Sequence, residues 1–209
     1  WGWGGQAGAL AASMRLAEVL AKVTADLSEL GVPAALVGGL AVSHRVEPRF
    51  TRDADLAVAV PSDSQAEELI FQLQQRGYRI AMVLEQTELG RMSTVRLIPP
   101  AGTVEGIVVD LLFASCGIEA EVVQDAEVGE VFPGLFLPVA RVGHLLAMKL
   151  LSHDPRRRPQ DSQDIVGLLT RINAEENRRC EEAIRMIHSR GFHRNRDLFE
   201  AWHSFTEDR

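Results

Sequence analysis

The chain has 209 residues, 46% hydrophobic and 24% charged, with 22 basic against 29 acidic side chains and a net charge of −7. These proportions belong to a globular protein and exclude the disordered and fibrous classes; the length allows one domain with a helical appendage, or two small domains. The acidic balance argues against a protein that coats long duplex DNA through bulk charge, and leaves room only for a local basic patch.

The opening Trp1-Gly2-Trp3-Gly4-Gly5 lacks an initiator Met and a basic n-region, so it reads as a trimmed end and is set aside from fold reasoning. Leu16, Leu20, Val23, Leu27 and Leu30 recur at spacings of 4, 3, 4 and 3, the period of an amphipathic helix, which Gly31 and Pro33 end. Ala34 to Val37 reads as a short buried strand, followed by Gly38-Gly39 and a short helix or turn to Arg45. Leu56 to Val60 is a second strand, stopped by Pro61-Ser62-Asp63. Ser62 caps a predicted helix to Arg76 with Ala66, Leu69, Ile70 and Leu73 inward and Gly77 at its end.

Arg79 to Leu84, Ser93 to Ile98 and Ile107 to Phe113 are three further predicted strands, with Pro99-Pro100-Ala101-Gly102 as a turn. Beyond Pro138 four stretches read as helix: Arg141 to His153, Asp161 to Asn173, Ala174 to Ser189 and Arg194 to Ser204. The expected fold class is therefore α/β (α+β). Residues 9–138 are expected to form the core and 139–209 a C-terminal helical region packed on it. No run of about 18 apolar residues predicts a membrane span. Cys116 and Cys180 form neither a CxxC pair nor a disulfide framework, which suits a reducing cytoplasm.

The informative stretch runs from Leu36 to Leu56. Asp53 and Asp55 stand at i and i+2, so in a strand they share one face with Cα atoms about 6–7 Å apart. Two carboxylates aimed at one point repel unless a cation lies between them, and oxygen ligands suit Mg²⁺. Gly38-Gly39, leading into a short helix, offers backbone N–H groups to a phosphate. Asp110 interrupts the otherwise apolar run from Ile107 to Phe113 and needs a partner or a cation. Each feature alone has a plain structural reading: a surface Asp-x-Asp, a chain turn, a strand-end carboxylate. Their order along the chain is what a phosphate cradle with a carboxylate cluster requires. Two divalent ions there would clamp the attacking oxygen and the leaving pyrophosphate.

On these residues the chain resembles the nucleotidyltransferases of the DNA polymerase β-like superfamily, closest to the abortive-infection (AbiEii-type) and minimal nucleotidyltransferase branch. Pro48-Arg49-Phe50-Thr51-Arg52-Asp53-Ala54-Asp55 fits that branch's Pro-Arg-x-Thr-x-Asp-x-Asp run, with Asp53 fourteen positions after Gly39. A helical Lys149 followed by Arg158-Pro159-Gln160-Asp161-Ser162-Gln163-Asp164 is a second match. The turn lacks the Ser of the commonest motif, and Val46 and Glu47 occupy a loop where many relatives have Gly.

The resemblance implies a short mixed sheet flanked by helices. It also implies an Mg²⁺- (or Mn²⁺-) dependent transfer of an NMP from an NTP such as ATP to a hydroxyl-type acceptor. That acceptor would be tRNA, a protein or a small molecule, and a toxin role beside an antitoxin protein is also implied. Asp53, Asp55 and Asp110 would be catalytic and metal-binding. Gly38, Gly39, Ser43 and Lys149 would serve the triphosphate, with Arg49 on a phosphate or paired to Asp53 or Asp55, and Thr51 bonding the first carboxylate or capping the strand. The rival reading is a catalytically silent nucleotide-binding or interaction module on the same scaffold. Asp161 and Asp164 share a helix face and are expected to cap it and pair with Arg156, Arg157 or Arg158. Trp202, Phe205 and Phe199 are expected to pack the last helix onto the domain.

Overall fold

A computed structural model describes residues 3–47, 51, 53–86, 89–100, 106–154 and 156–207, with the side chains of residues 3–12 outside the description. The first helix, α1 (Trp3–Glu29), buries Leu16, Val19, Leu20, Val23 and Leu27 as one stripe. It starts well before the apolar period does. Ala9, Ala11 and Ala12 carry strong helix propensity, and a formed helix extends at one hydrogen bond per residue. Gly31, in the left-handed region at φ 70°, turns the chain out of the helix into β1 (Ala34–Val37).

The helix α2 (Gly38–Arg45) begins directly where β1 ends, with Val37 as N-cap and no side-chain cap. Next come β2 (Asp53–Val58) and α3 (Asp63–Gln75), whose Ser62 cap accepts from the Gln65 N–H. The strands β3 (Arg79–Gln86), β4 (Arg91–Ile98) and β5 (Val108–Leu112) follow. The described sheet has seven strands in the order β3-β4-β5-β2-β1-β7-β6 and is mixed: β1–β2 is antiparallel, while β2–β5 and β1–β7 are parallel.

Three elements between Ile118 and Ala140 lie outside the sequence expectation: α4 (Glu119–Gln124), β6 (Glu127–Phe132) and β7 (Leu135–Val139). Pro138, read along the chain as the boundary of the core, lies within β7 opposite Val128, and Pro133 with Gly134 makes the turn of the hairpin. The hairpin is tied to the centre by Arg45 at the end of α2. Its guanidinium donates to the Ala140 and Val139 carbonyls at 3.0 and 2.9 Å and pairs with Glu127 at 3.0 Å.

Four helices complete the chain: α5 (Val142–Ser152), α6 (Pro159–Leu169), α7 (Ala174–Ser189) and α8 (Leu198–Thr206). α5 is held against α7 at Gly143. Its N–H donates to the buried Glu176 carboxylate at 2.7 Å, and an added Cβ would strike the Glu176 and Cys180 backbone. On α8, Trp202 is buried and Phe199 and Phe205 pack beside the core, Phe205 edge-on to His153.

Candidate functional site

The site lies at one end of β1, β2 and β5. Val37 pairs with Asp55 across the antiparallel step, and Asp55 pairs with Asp110 across the parallel one. Asp53 and Asp55 alternate with the fully buried Ala54, so both carboxylates rise from one face of β2. Gly38 is at φ 66°, and a Cβ there would fall on the Asp55 carboxylate. The first turn of α2 can approach that carboxylate only because residue 38 is glycine.

Asp55 is half-buried, and its carboxyl is pushed up to about 6, first by burial and then by the charges of Asp110 and Asp53; Lys149 and Arg158 oppose the rise. A cluster of carboxylates raising one another's charging cost is the electrostatic setting that a hard cation with oxygen ligands relieves. The donor set and the cradle closed by Gly38 therefore fit a divalent metal. No three His, Cys, Asp or Glu side chains among the described residues are disposed to hold a metal ion as they stand. Both oxygens of Asp110 accept from the Arg96 guanidinium.

Arg96 stands opposite Asp110 in the β4–β5 ladder. Its Nε donates to Oδ1 at 2.8 Å and its Nη2 to Oδ2 at 2.7 Å. Asp110 is a buried carboxylate, and this fork is its partner. Arg96 is a site residue that sequence reasoning missed. Between the buried Val95 and Leu97 it reads as the outward position of an alternating strand, and only the antiparallel register sets it across from Asp110.

Lys149 on α5 is buried, with its ammonium 2.7 Å from Asp161 and 2.8 Å from Asp164, both buried on α6. This adds Lys149 to the expected arginine pairing of those aspartates. Their principal cation is Lys149, and of the three arginines only Arg158 joins, at 3.3 Å from Asp161. A helix-face spacing shows which two residues lie together but not which neighbouring helix they meet.

A cleft of about 510 Å³ joins these parts, lined by Gly38, Gly39, Asp55, Asp110 and the cations Arg96, Lys149, Arg158 and Arg194. Arg194 reaches it from the α7–α8 loop, where Arg194 and Asn195 both adopt left-handed backbone at φ 54° and 55°, and its guanidinium donates to the Ser115 carbonyl at 2.9 Å. Ser43 is buried in α2 and its hydroxyl donates to the Gly39 carbonyl at 2.9 Å. Thr51 is half-buried just ahead of β2. Arg49 lies outside the described residues.

Residues 19–207 match the family described as nucleotidyl transferase AbiEii toxin, type IV TA system. The chain belongs to this AbiEii family. It is thus a nucleotidyltransferase, from a family of toxins of toxin–antitoxin systems. Solved structures share the fold. The antibiotic-resistance factor ANT(2'')-Ia in solution is 17% identical, with 93% of this chain and 98% of that one covered and a TM-score of 0.55. The same factor in complex with adenylyl-2''-tobramycin is 17% identical, with 84% of this chain and 98% of that one covered and a TM-score of 0.55. An antigenic nucleotidyltransferase-like protein from Paracoccidioides brasiliensis is 18% identical, with 85% and 89% covered and a TM-score of 0.52. No curated protein matches the chain. No helix among the described residues of this AbiEii-family chain is long and apolar enough to cross a membrane.

Proposed function

We propose that this chain moves an NMP from an NTP to an acceptor hydroxyl in the cleft between the β1–β2–β5 edge and α5, with a divalent metal held by Asp53 and Asp55. The carrying observation is the close approach of Gly38 to Asp55, with Asp110 in register beside it. The backbone N–H groups of the first turn of α2 bind the triphosphate, aided by the positive end of that helix. Asp53 and Asp55 supply the oxygen ligands, and Asp110 faces the acceptor side, where it orients the hydroxyl and receives its proton. The bond from the acceptor oxygen to the α-phosphorus forms as the bond to the pyrophosphate oxygen breaks, and pyrophosphate leaves. When bound, Mg²⁺ or Mn²⁺ supplies charge neutralisation to the attacking and leaving oxygens. Lys149 lines the cleft with its ammonium fixed by Asp161 and Asp164, a positive charge that costs no reorganisation when phosphate arrives.

ATP is the donor suggested by the adenylyl product bound to the ANT(2'')-Ia neighbour, and the acceptor belongs to the same broad set of tRNA, protein or small molecule. An antitoxin partner is the family-level expectation, and the cysteine usage suits a cytoplasmic setting. Titration calorimetry of the four NTPs with and without Mg²⁺, on the wild type and the Asp53→Ala, Asp55→Ala double variant, tests the reading. Metal-dependent binding that the double variant loses is expected. Absence of binding by the folded wild type in every condition overturns the donor site.

A further inference from the structure

We propose that Arg96 is an internal counter-ion that competes with the divalent metal for Asp110 and thereby sets the metal affinity of the site. This rests on the metal reading above, extends the ligand set from Asp53 and Asp55 to Asp110, in register with Asp55, and adds the residue that controls it. Asp110 lies between two neighbours in the sheet, with Asp55 in register on the β2 side and Arg96 in register on the β4 side. Both of its oxygens accept from the Arg96 fork, at 2.8 and 2.7 Å. A metal that drew on Asp110 together with Asp55 would have to share or displace a charge-assisted, two-bond contact, and it would do so beside a like charge.

The two partners are not equally free to give way. The Asp110 side chain is 11% exposed and fixed on a central strand, whereas the Arg96 side chain is 38% exposed on β4 and lines the open cleft. Arg96 is the partner that can withdraw, because its head group moves toward solvent while the metal takes over the buried Asp110 carboxylate. The same cleft offers the displaced guanidinium an anionic partner once a triphosphate is present. Metal and nucleotide binding are therefore coupled through Arg96, each favouring the release that the other needs. Arg96 acts through Asp110 and is a positioning residue.

The test is Mn²⁺ binding to the full chain, read by electron paramagnetic resonance, with and without a non-hydrolysable NTP. Thermal melts of each variant confirm folding. Arg96→Gln is expected to bind Mn²⁺ about tenfold tighter than wild type without nucleotide, as expected when a like charge at contact range is removed from a partly screened site. Arg96→Lys, which keeps the charge but loses the fork, is expected between the two and keeps the test open if Arg96→Gln does not fold. The tightening of Mn²⁺ binding by nucleotide is expected to shrink in Arg96→Gln. Arg158→Gln removes another cation of the same cleft, whose side chain is 58% exposed, and is expected to change the affinity less than about threefold. Unchanged or weaker Mn²⁺ binding in Arg96→Gln, or equal tightening in Arg158→Gln, overturns the proposal while leaving the metal site standing, provided Asp55→Asn still abolishes binding. No Mn²⁺ binding by the wild type even with nucleotide, or binding that Asp55→Asn leaves intact, overturns the metal reading and the proposal together.

Discussion

Replacing Asp55 with Asn is expected to stabilise the metal-free protein while destroying transfer activity. The Asp55 carboxyl is raised from 3.8 to about 6, by burial first and by Asp110 and Asp53 next. A rise of roughly two units corresponds to about 3 kcal/mol at 1.36 kcal/mol per unit, and solvent screening of a half-buried group reduces it to about 1–3 kcal/mol. The sign follows from proton counting. Between about pH 4 and pH 6 the native state holds the proton on Asp55 more firmly than the unfolded chain does, so this group's contribution to stability falls as pH rises through that window. Its cost is fully present above about 6, and Asn carries none. Urea unfolding in the presence of EDTA at pH 5 and pH 7.5 measures it. The variant is expected to gain about 1–3 kcal/mol at pH 7.5, roughly 3–10 °C in melting temperature for a chain of this size. It is also expected to lose that part of the wild type's preference for pH 5. A variant no more stable than wild type at pH 7.5, or one with the wild-type pH slope intact, refutes the electrostatic account of the carboxylate cluster.

Other consequences are equally concrete. Gly38→Ala places a Cβ on the Asp55 carboxylate at a backbone angle that L residues disfavour, so transfer activity is expected to fall at least about a hundredfold, with a loss of about 1–3 kcal/mol in stability, measured by labelled-NTP turnover and by urea unfolding. Lys149→Met leaves Asp161 and Asp164 buried without their main cation and is expected to cost about 3–5 kcal/mol at neutral pH; adding Asp161→Asn and Asp164→Asn should recover part of it. Tyr78→Phe removes the buried 2.7 Å hydrogen bond that the hydroxyl donates to Asp26, which Lys22 and Arg76 also hold, and is expected to cost about 1–2 kcal/mol by chemical denaturation.

Sequence and structure agree where the signal is local. The apolar stripe from Leu16 to Leu27, the Ser62 cap and the inward face of α3 follow from helical period and hydrogen-bonding chemistry within a few residues. The strands β1 to β5 were legible for the same reason, being apolar runs bounded by turn residues. The β6–β7 hairpin was not, because no residue of β6 is fully buried and β7, which buries Leu137 and Val139 in alternation, carries Pro138 in its middle. At the site, the chain order of Gly38-Gly39, Asp53, Asp55 and Asp110 was readable, since the first three lie on consecutive elements and Asp110 breaks an apolar strand.

The sequence by itself determined the fold class, the family and the glycine–carboxylate order, all properties of residue type at short spacing. Tertiary structure decided the pairings between those parts. Strand register places Arg96 on Asp110, although 14 residues separate them in the chain. Packing of α5 on α6 brings Lys149 to both aspartates, while the arginine run beside them supplies only Arg158, to Asp161. A charged side chain finds its partner by the free energy of leaving water, which depends on what else is buried around it. That environment is assembled from distant segments and is written in no one stretch of the chain.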